Sequence, residues 1–391
     1  MRFHPTPLLA VLATATIPSL VSAAEGGAYT LKDDLSYKNF FDNFEFFSGK
    51  DPTNGFVQYQ DHQSAVANEY VGYLDDAKSV YLGVDYKNKD PKGRASVRLE
   101  SKKTWNKGLL VADIRHMPEN VCGSWPAFWT LGALPWPTNG EIDILEGVND
   151  YQQNAVTLHT SEGCVVDDAS KAPAKRNPRS NSRLTGLLNQ ADAQQQPQSP
   201  AYLGKMTTSN CDVNAAGQGT NVGCSIKAPA SVKGSPGSAF PSDMELPSYG
   251  ASFNAAGGGV YAMEWTSDYI AVWFIPRTAP TFSSLFGDPA AAPDPSAWGT
   301  PIAKFSGKGC DFEKKFRDLK VIFNVTFCGD WAGGEWTKGC AARTNSQTCE
   351  AYVRDNPQAF EQAYWEIQGL RWYERGGGSW RWRAAGTGAE R

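Results

Sequence analysis

The sequence of 391 residues has few histidines, no marked surplus of either charge and little helical periodicity. Four histidines and the lack of any Cys-x-x-Cys pair argue against a zinc cluster. The 37 Lys and Arg residues against 41 Asp and Glu residues give a formal charge of −4, so the chain lacks the basic stripe typical of nucleic-acid binders. No stretch beyond the N-terminus is apolar enough to cross a bilayer. A helical bundle, a multi-span membrane protein and a nucleic-acid partner are therefore poor fits.

Aromatic and turn-forming residues are abundant instead, with 13 Trp, 15 Tyr, 19 Phe, 38 Gly and 24 Pro. Short runs of alternating apolar and polar residues are broken by Gly, Asn, Asp and Pro, a pattern typical of strands joined by turns. Residues 261–266 and 269–275 predict a hairpin, and residues 319–327 predict another strand. Many short strands at regular spacing predict an all-β protein built as a two-sheet sandwich.

The N-terminus predicts a secretory signal peptide over residues 1–24. Arg2 and His4 precede a mostly apolar run from Leu8 to Val21, which ends in small residues at 22–24. The run has about 14 residues, whereas a membrane-spanning helix needs about 20, so a retained anchor is the weaker interpretation. The sequence therefore predicts a secreted protein with no membrane partner.

The cysteine content agrees with an oxidising compartment, because the number is even and every cysteine follows the predicted leader. Up to four disulfides are expected, and the sequence leaves their pairing open. Cys211–Cys224 and Cys340–Cys349 are candidate short loops. The eight residues are Cys122, Cys164, Cys211, Cys224, Cys310, Cys328, Cys340 and Cys349.

One domain is expected over residues 25–375, with two segments of different composition. Residues 165–210 are rich in Ser, Pro, Asn and Gln and predict a low-complexity surface insertion. Residues 376–391 form a basic, Gly-rich tail that we expect to be disordered. Asn324-Val-Thr326 matches the N-glycosylation sequon, although it lies on a predicted strand.

The most informative segment is Glu141-Ile-Asp-Ile-Leu-Glu146, which follows a tryptophan-rich stretch. On a strand, Glu141 and Asp143 share one face while Ile142 enters the core. Strict alternation would put Glu146 on the core face, where an unpaired charge is costly. A one-residue β-bulge at residue 144 or 145 would return Glu146 to the face of the other two acids.

Three acids on one face suit the cleavage of a glycosidic bond with retention, which needs a carboxylate nucleophile and a carboxylic acid. Acids this close cannot all ionise freely, so one should keep its proton near neutral pH. Two alternatives are a Ca²⁺ site, since Ca²⁺ prefers oxygen ligands, and a solvated strand face. Tryptophans just upstream favour a sugar-binding cleft over both.

Five stretches in this order resemble the secreted fungal members of glycoside hydrolase family 16, over about residues 29–373. The hexapeptide has the form typical of laminarinases and endo-1,3(4)-β-glucanases. The stretches are Ser96–Ser101, Trp125–Trp129, Glu141–Glu146, His159–Cys164 and Phe327–Ala332.

The resemblance implies a β-jelly-roll sandwich of two antiparallel sheets with a concave cleft for glucan. It assigns the nucleophile to Glu141, the acid/base to Glu146 and an assisting role to Asp143. The residues expected to bind substrate are Trp129, Trp136, His159, Trp331 and Arg98.

The expected function is hydrolysis of β-1,3 or mixed β-1,3/1,4 glucans by a retaining endo-β-glucanase, with a β-glucan polysaccharide as partner. Alternatives are a cell-wall glucan transglycosylase, a non-catalytic glucan-binding module, and a structural wall protein whose acids hold Ca²⁺. We expect a monomer without a catalytic cofactor or metal; a structural Ca²⁺ is not indicated by the sequence.

Overall fold

The computed structural model describes residues 28–168, 200–235, 238–288 and 291–376. The predicted signal peptide, residues 169–199 of the predicted insertion and residues 377–391 of the predicted tail lie outside these ranges.

Strands dominate the described residues, and the helices between them are short. The strands are β1 (Tyr29–Asp34), β2 (Phe44–Phe46), β3 (Val57–Tyr59), β4 (Val71–Leu74), β5 (Ser79–Leu82), β6 (Arg94–Ser96), β7 (Arg98–Ser101), β8 (Gly108–His116), β9 (Ser124–Leu131), β10 (Glu141–Glu146), β11 (Ala155–His159), β12 (Lys205–Thr208), β13 (Cys224–Lys227), β14 (Ser231–Val232), β15 (Met244–Glu245), β16 (Gly259–Trp265), β17 (Tyr269–Pro276), β18 (Ala303–Ser306), β19 (Lys320–Phe327) and β20 (Trp365–Arg375).

The α-helices have four to seven residues each: α1 (His62–Ala67), α2 (Gly250–Ala255), α3 (Phe282–Phe286), α4 (Phe312–Lys315), α5 (Cys340–Thr344) and α6 (Cys349–Asp355). Single turns of 3₁₀ helix cover Tyr37–Asn39, Phe41–Asn43, Pro295–Ala297, Trp336–Lys338 and Pro357–Phe360, and a π turn covers Gly329–Gly333. Among the described residues, no helix has the length and apolar character needed to span a membrane.

Two antiparallel sheets of eight strands form the sandwich, as predicted. The outer sheet has the order β18-β17-β16-β8-β20-β5-β4, with β1 also paired to β20. The cleft sheet has the order β12-β13-β11-β10-β9-β19-β7-β2. The predicted hairpin is β16–β17, and the predicted strand 319–327 is β19.

The core lies between the sheets and follows from the two-residue period of the strands. On β10, Ile142 and Ile144 are fully buried between the sheets. On the next two strands, Phe128 and Phe323 stack at 4.4 Å between ring centroids. The opposite faces of these strands are therefore free to form the floor of a cleft.

Four disulfides use all eight cysteines: Cys122–Cys340, Cys164–Cys310, Cys211–Cys224 and Cys328–Cys349. The expected short loop Cys211–Cys224 is confirmed. The expected Cys340–Cys349 loop is wrong, because these residues begin α5 and α6 and meet partners on different segments.

The predicted insertion at 165–210 is described at both of its ends. Val165 forms an isolated bridge with Asn210, beside the Cys164–Cys310 disulfide. Residues 205–208 form β12, the edge strand of the cleft sheet. The sheet therefore resumes at Lys205, inside the predicted segment.

Candidate active site

A cleft of about 1130 Å³ runs across the concave face of the cleft sheet. All eight residues predicted for the site line it, namely Arg98, Trp129, Trp136, Glu141, Asp143, Glu146, His159 and Trp331. The cleft crosses β7, β19, β9, β10, β11 and β13, so residues distant in sequence meet in one groove.

The predicted bulge in β10 is confirmed by its register with β9. Asp143 lies opposite Trp129 and Leu145 lies opposite Phe128, so Ile144 has no partner on β9. The extra residue turns Glu146 back toward the cleft, where it faces Ala127. One inserted residue thus puts three acids on one face.

The three acids are poorly solvated, and this changes their protonation. Asp143 is 2% exposed and Glu146 is 9% exposed, while Glu141 is the least buried of the three. Burial and the neighbouring Asp143 raise the pKa of Glu141 and of Glu146 to about 8 in each case. Burial also raises the pKa of Asp143 well above its usual value. The prediction of a retained proton near neutral pH is consistent with all three directions.

Each acid has its own aromatic or imidazole partner. Trp136 donates its indole N–H to Glu141 Oε2 at 2.8 Å, and Trp125 donates to Glu146 Oε1 at 2.7 Å. His159 Nε2 lies 3.2 Å from Asp143 Oδ2. The two indole hydrogen bonds fix the direction of the Glu141 and Glu146 carboxyl groups within the cleft.

Trp125 is a site residue that the sequence prediction missed. It shares a face of β9 with Trp129, since both occupy odd-numbered positions on one strand. The predicted bulge could have identified Trp125. It brings Glu146 opposite Ala127, and Trp125 lies two residues from Ala127 on the same face of β9.

Trp129 is held from two sides in the cleft floor. Its indole N–H donates to Asn324 Oδ1 at 2.7 Å, and Asn324 Nδ2 donates to Tyr59 Oη at 3.1 Å. The Arg98 guanidinium lies 5.0 Å from the centroid of the Trp129 ring. The amide of the predicted sequon is thus buried and occupied by these bonds.

Arg98 lines the cleft but is only 5% exposed, unlike a free sugar-binding cation. Its Nη2 lies 2.8 Å from Glu100 Oε1, and its guanidinium also covers the Phe47 ring. The structure therefore places Arg98 as a support for Trp129, with its charge already paired.

Trp331 and Trp136 line the cleft from segments outside the strands of the cleft sheet. Trp331 lies on the turn Gly329–Gly333 and makes edge-to-face contacts with Trp125 and Tyr151, at 5.6 and 5.8 Å between centroids. The turn follows Cys328, which is bonded to Cys349. Trp136 is 38% exposed, so part of its ring remains open to a ligand.

His159 lines the cleft at the end of β11, the strand that pairs with β13. It pairs with Glu141 across β10 and β11, and its ring lies 6.3 Å from that of Trp136. Further along the floor, Thr157 and Ser225 hydroxyls lie 3.0 Å apart. This end of the cleft is lined with hydroxyl groups, in contrast with the tryptophans on β9.

Potential metal ligands in the cleft are Glu141, Asp143 and His159, whose ligand atoms lie within 4.8 Å of one another. The group combines two acids with an imidazole, whereas Ca²⁺ takes oxygen ligands. Burial also raises the pKa of Glu141 and of Asp143, which disfavours the ionised carboxylates that a cation would need. The donor set therefore does not fit the three-acid Ca²⁺ site considered from the sequence.

Comparisons with known proteins agree with this geometry. The family model described as "XgeA-like, catalytic GH16 domain" matches residues 44–222 and 188–373. An endo-1,3(4)-β-glucanase of Arthroderma benhamiae is 42% identical over 350 residues, covering 89% of this chain and 65% of the relative. The endo-1,3(4)-β-glucanase xgeA of Emericella nidulans is 38% identical, covering 92% of this chain and 49% of the relative. The chain spans less than two thirds of the length of these curated relatives.

Two solved structures are also similar over most of the chain. Laminarinase 16A from Phanerochaete chrysosporium, solved with β-glucans in donor and acceptor sites, has a TM-score of 0.68 and 36% identity, covering 89% of this chain and all of that one. An elongating family 16 β-1,3-glucosyltransferase has a TM-score of 0.68 and 39% identity, covering 88% and 100%. The expected β-jelly-roll sandwich is thus confirmed. The chain belongs to glycoside hydrolase family 16, within its XgeA-like group.

Proposed function

We propose that this chain is a retaining endo-β-glucanase that hydrolyses β-1,3 glucans, mixed β-1,3/1,4 glucans or both. The observation that carries the proposal is the bulged strand β10, which directs Glu141, Asp143 and Glu146 into one open cleft. The named endo-1,3(4)-β-glucanases among its relatives support the same substrate class.

In the first step, Glu146 acts as the general acid and Glu141 as the nucleophile. With a pKa of about 8, Glu146 is protonated in mildly acidic solution and gives its proton to the departing glycosidic oxygen. Glu141 is the most exposed of the acids, and the Trp136 N–H that it accepts stabilises its carboxylate. Its carboxylate attacks the anomeric carbon as the glycosidic bond breaks, which leaves a glycosyl ester.

In the second step, Glu146, now a carboxylate, takes a proton from water as the water oxygen attacks the same carbon. The ester bond to Glu141 breaks, and both carboxyl groups return to their initial state. Asp143 assists through its charge beside Glu141 and through its contact with His159. Trp129, Trp136 and Trp331 would carry the apolar faces of sugar rings along the cleft.

The proposed partner is a β-glucan polysaccharide, and the proposed location is outside the cell. The four disulfides of the described residues suit an oxidising compartment. We further propose that the protein acts as a monomer, because the cleft is complete within one chain.

Transglycosylation is a second candidate, favoured by the 39% identity to an elongating β-1,3-glucosyltransferase. It uses the same glycosyl ester but passes the sugar to a hydroxyl group of another glucan instead of water. Products longer than the substrate would support it.

The test of function is analysis of the products from laminarin, lichenan and xyloglucan. We expect short oligosaccharides from laminarin or lichenan, released with the β-configuration at their new reducing ends, as NMR would detect at early times. No cleavage of either glucan would contradict the proposal, and initial release of the α-anomer would contradict retention.

Changing Trp125 to Phe should shift the alkaline limb of the pH profile to higher pH. The indole N–H stabilises the Glu146 carboxylate and so lowers its pKa. Without this donor the pKa rises, and Glu146 loses its proton at a higher pH. The higher pKa also makes the Glu146 carboxyl group a weaker acid, so loss of the bond should slow the acid-assisted step by up to about tenfold.

The measurement is kcat/KM on laminarin from pH 4 to pH 10. Trp105→Phe is the matched control, because Trp105 also donates to a carboxylate, Asp33, outside the cleft. The control should leave the profile unchanged. An alkaline limb that stays in place or moves down in Trp125→Phe would refute the tuning role of Trp125.

A further inference from the structure

Strand β10 runs past the end of its pairing with β11, which leaves two of its backbone groups at the bulge without a strand partner. Pairing between β10 and β11 covers Glu141, Ile142 and Asp143 and then stops. The C=O of Ile144 and the N–H of Glu146 lie beyond this point, in the buried part of the sheet. An unpaired buried backbone group destabilises the folded state, so the bulge needs a hydrogen-bond partner from elsewhere.

One asparagine side chain supplies both missing bonds. Asn154 Oδ1 accepts the N–H of Glu146 at 2.8 Å, and Asn154 Nδ2 donates to the C=O of Ile144 at 2.7 Å. A carboxamide carries an acceptor and a donor side by side, which matches the two groups at either end of the bulge. Asn154 precedes β11 by one residue, so its side chain supplies the hydrogen bonds that the next residue pair of β10 and β11 would otherwise make.

Asn154 is itself rigidly placed. It is fully buried, its N–H donates to Ser248 Oγ at 3.1 Å, and its C=O accepts the N–H of Ala228 at 2.8 Å. With its backbone fixed on two sides, the side chain has little freedom to follow a relaxing strand.

We infer that Asn154 is the positioning residue that holds the bulge of β10 and thereby keeps Glu146 directed into the cleft. The inference rests on the proposed function, because it concerns the placement of the proposed acid/base. Without the carboxamide, β10 would lose the bonds at both ends of its bulge, and Glu146 would lose its fixed distance from the glycosidic oxygen. A displacement of about 1 Å at a reacting group can cost about 100-fold in rate.

The experiment compares Asn154→Ala with the wild type on laminarin and on a 2,4-dinitrophenyl β-laminaribioside, with and without azide. Laminarin needs a proton from Glu146, so its turnover should fall about 100-fold. Dinitrophenolate leaves without a proton, and azide attacks the glycosyl ester without a base. Turnover of the aryl glycoside in azide should therefore fall less than about tenfold, with glycosyl azide as the product.

Asn254→Ala is the matched control. Asn254 also clamps a backbone, accepting the N–H of Met117 at 2.9 Å and donating to its C=O at 3.0 Å, outside the cleft. This variant should keep the wild-type ratio of the two activities. The ratio is taken on one preparation, so a smaller folded fraction cancels. If Asn154→Ala yields no folded protein, Asn154→Asp, which has the same shape and keeps one acceptor, should show a changed ratio in the same direction.

Equal losses on both substrates in the Asn154 variants, with an active wild type, would overturn the positioning role alone. A wild type that hydrolyses neither laminarin nor the aryl glycoside would overturn the proposed function, and this inference with it. The expected result is a loss of laminarin turnover that persists in azide, with a much smaller loss of aryl glycoside turnover in azide. That result supports a role for Asn154 through Glu146.

Discussion

Glu141→Gln should lower laminarin hydrolysis by about 10⁴-fold or more while the fold persists. Glutamine keeps the shape of the side chain and can still accept the Trp136 N–H, but an amide oxygen does not form the glycosyl ester. Glu146→Gln should cost about 10²–10⁴-fold, since it removes the group proposed as proton donor and later base. The two changes also differ in their products, because only Glu146→Gln should convert an aryl β-glycoside to a β-glycosyl azide when azide is added.

The measurement is steady-state turnover beside circular dichroism of each variant. Glu313→Gln is the control for the substitution itself, because Glu313 is exposed and pairs with Lys107 outside the cleft. Near wild-type hydrolysis in either acid variant would reject its assigned role. A β-glycosyl azide formed by Glu141→Gln rather than by Glu146→Gln would show that the two roles are exchanged.

Replacing Cys122 and Cys340 by Ala should lower the free energy of unfolding by about 4–5 kcal/mol. This disulfide joins residues 218 positions apart, although Cys164–Cys310 already shortens the chain between them. Chain-entropy arguments give about 3 kcal/mol for a loop of about 15 residues and more for longer loops. The paired change Cys211→Ala and Cys224→Ala, across 13 positions, should therefore cost about 3 kcal/mol.

Denaturant unfolding of the two double variants measures the difference. All four cysteines are buried, so the packing loss is similar and the loop length is the main variable. A larger loss from Cys211 and Cys224 than from Cys122 and Cys340 would contradict the entropic explanation and would point to local packing in the cleft wall.

The strand pattern and the acid trio could be predicted from the sequence because both depend on neighbours along the chain. The alternation of Glu141 and Asp143 with isoleucines fixes two faces, and the cost of burying Glu146 requires the bulge. The register of β10 with β9 agrees with that argument. The order of the catalytic roles came from family resemblance and remains a prediction.

Contacts between distant segments could not be predicted in this way. The sequence places Asn154 in a polar stretch that resembles a turn, and its role depends on where β11 stops pairing with β10. The disulfides of Cys340 and Cys349 depend on how α5 and α6 pack, since sequence proximity favours joining them to each other. The sequence also does not show that the Arg98 guanidinium pairs with Glu100 and lies over the Trp129 ring.

The pairing of β1 with β20 brings the two ends of the described fold together. Tyr29 lies opposite Arg375, and the N–H of Gly376 donates to the C=O of Ala28. Both strands belong to the outer sheet, away from the groove. A short peptide linker could therefore join these ends. The resulting circular chain could then be opened at an exposed turn such as Ser267-Asp268. Such circular permutants would keep the acid trio in place and allow the point of attachment to a solid support to be chosen freely.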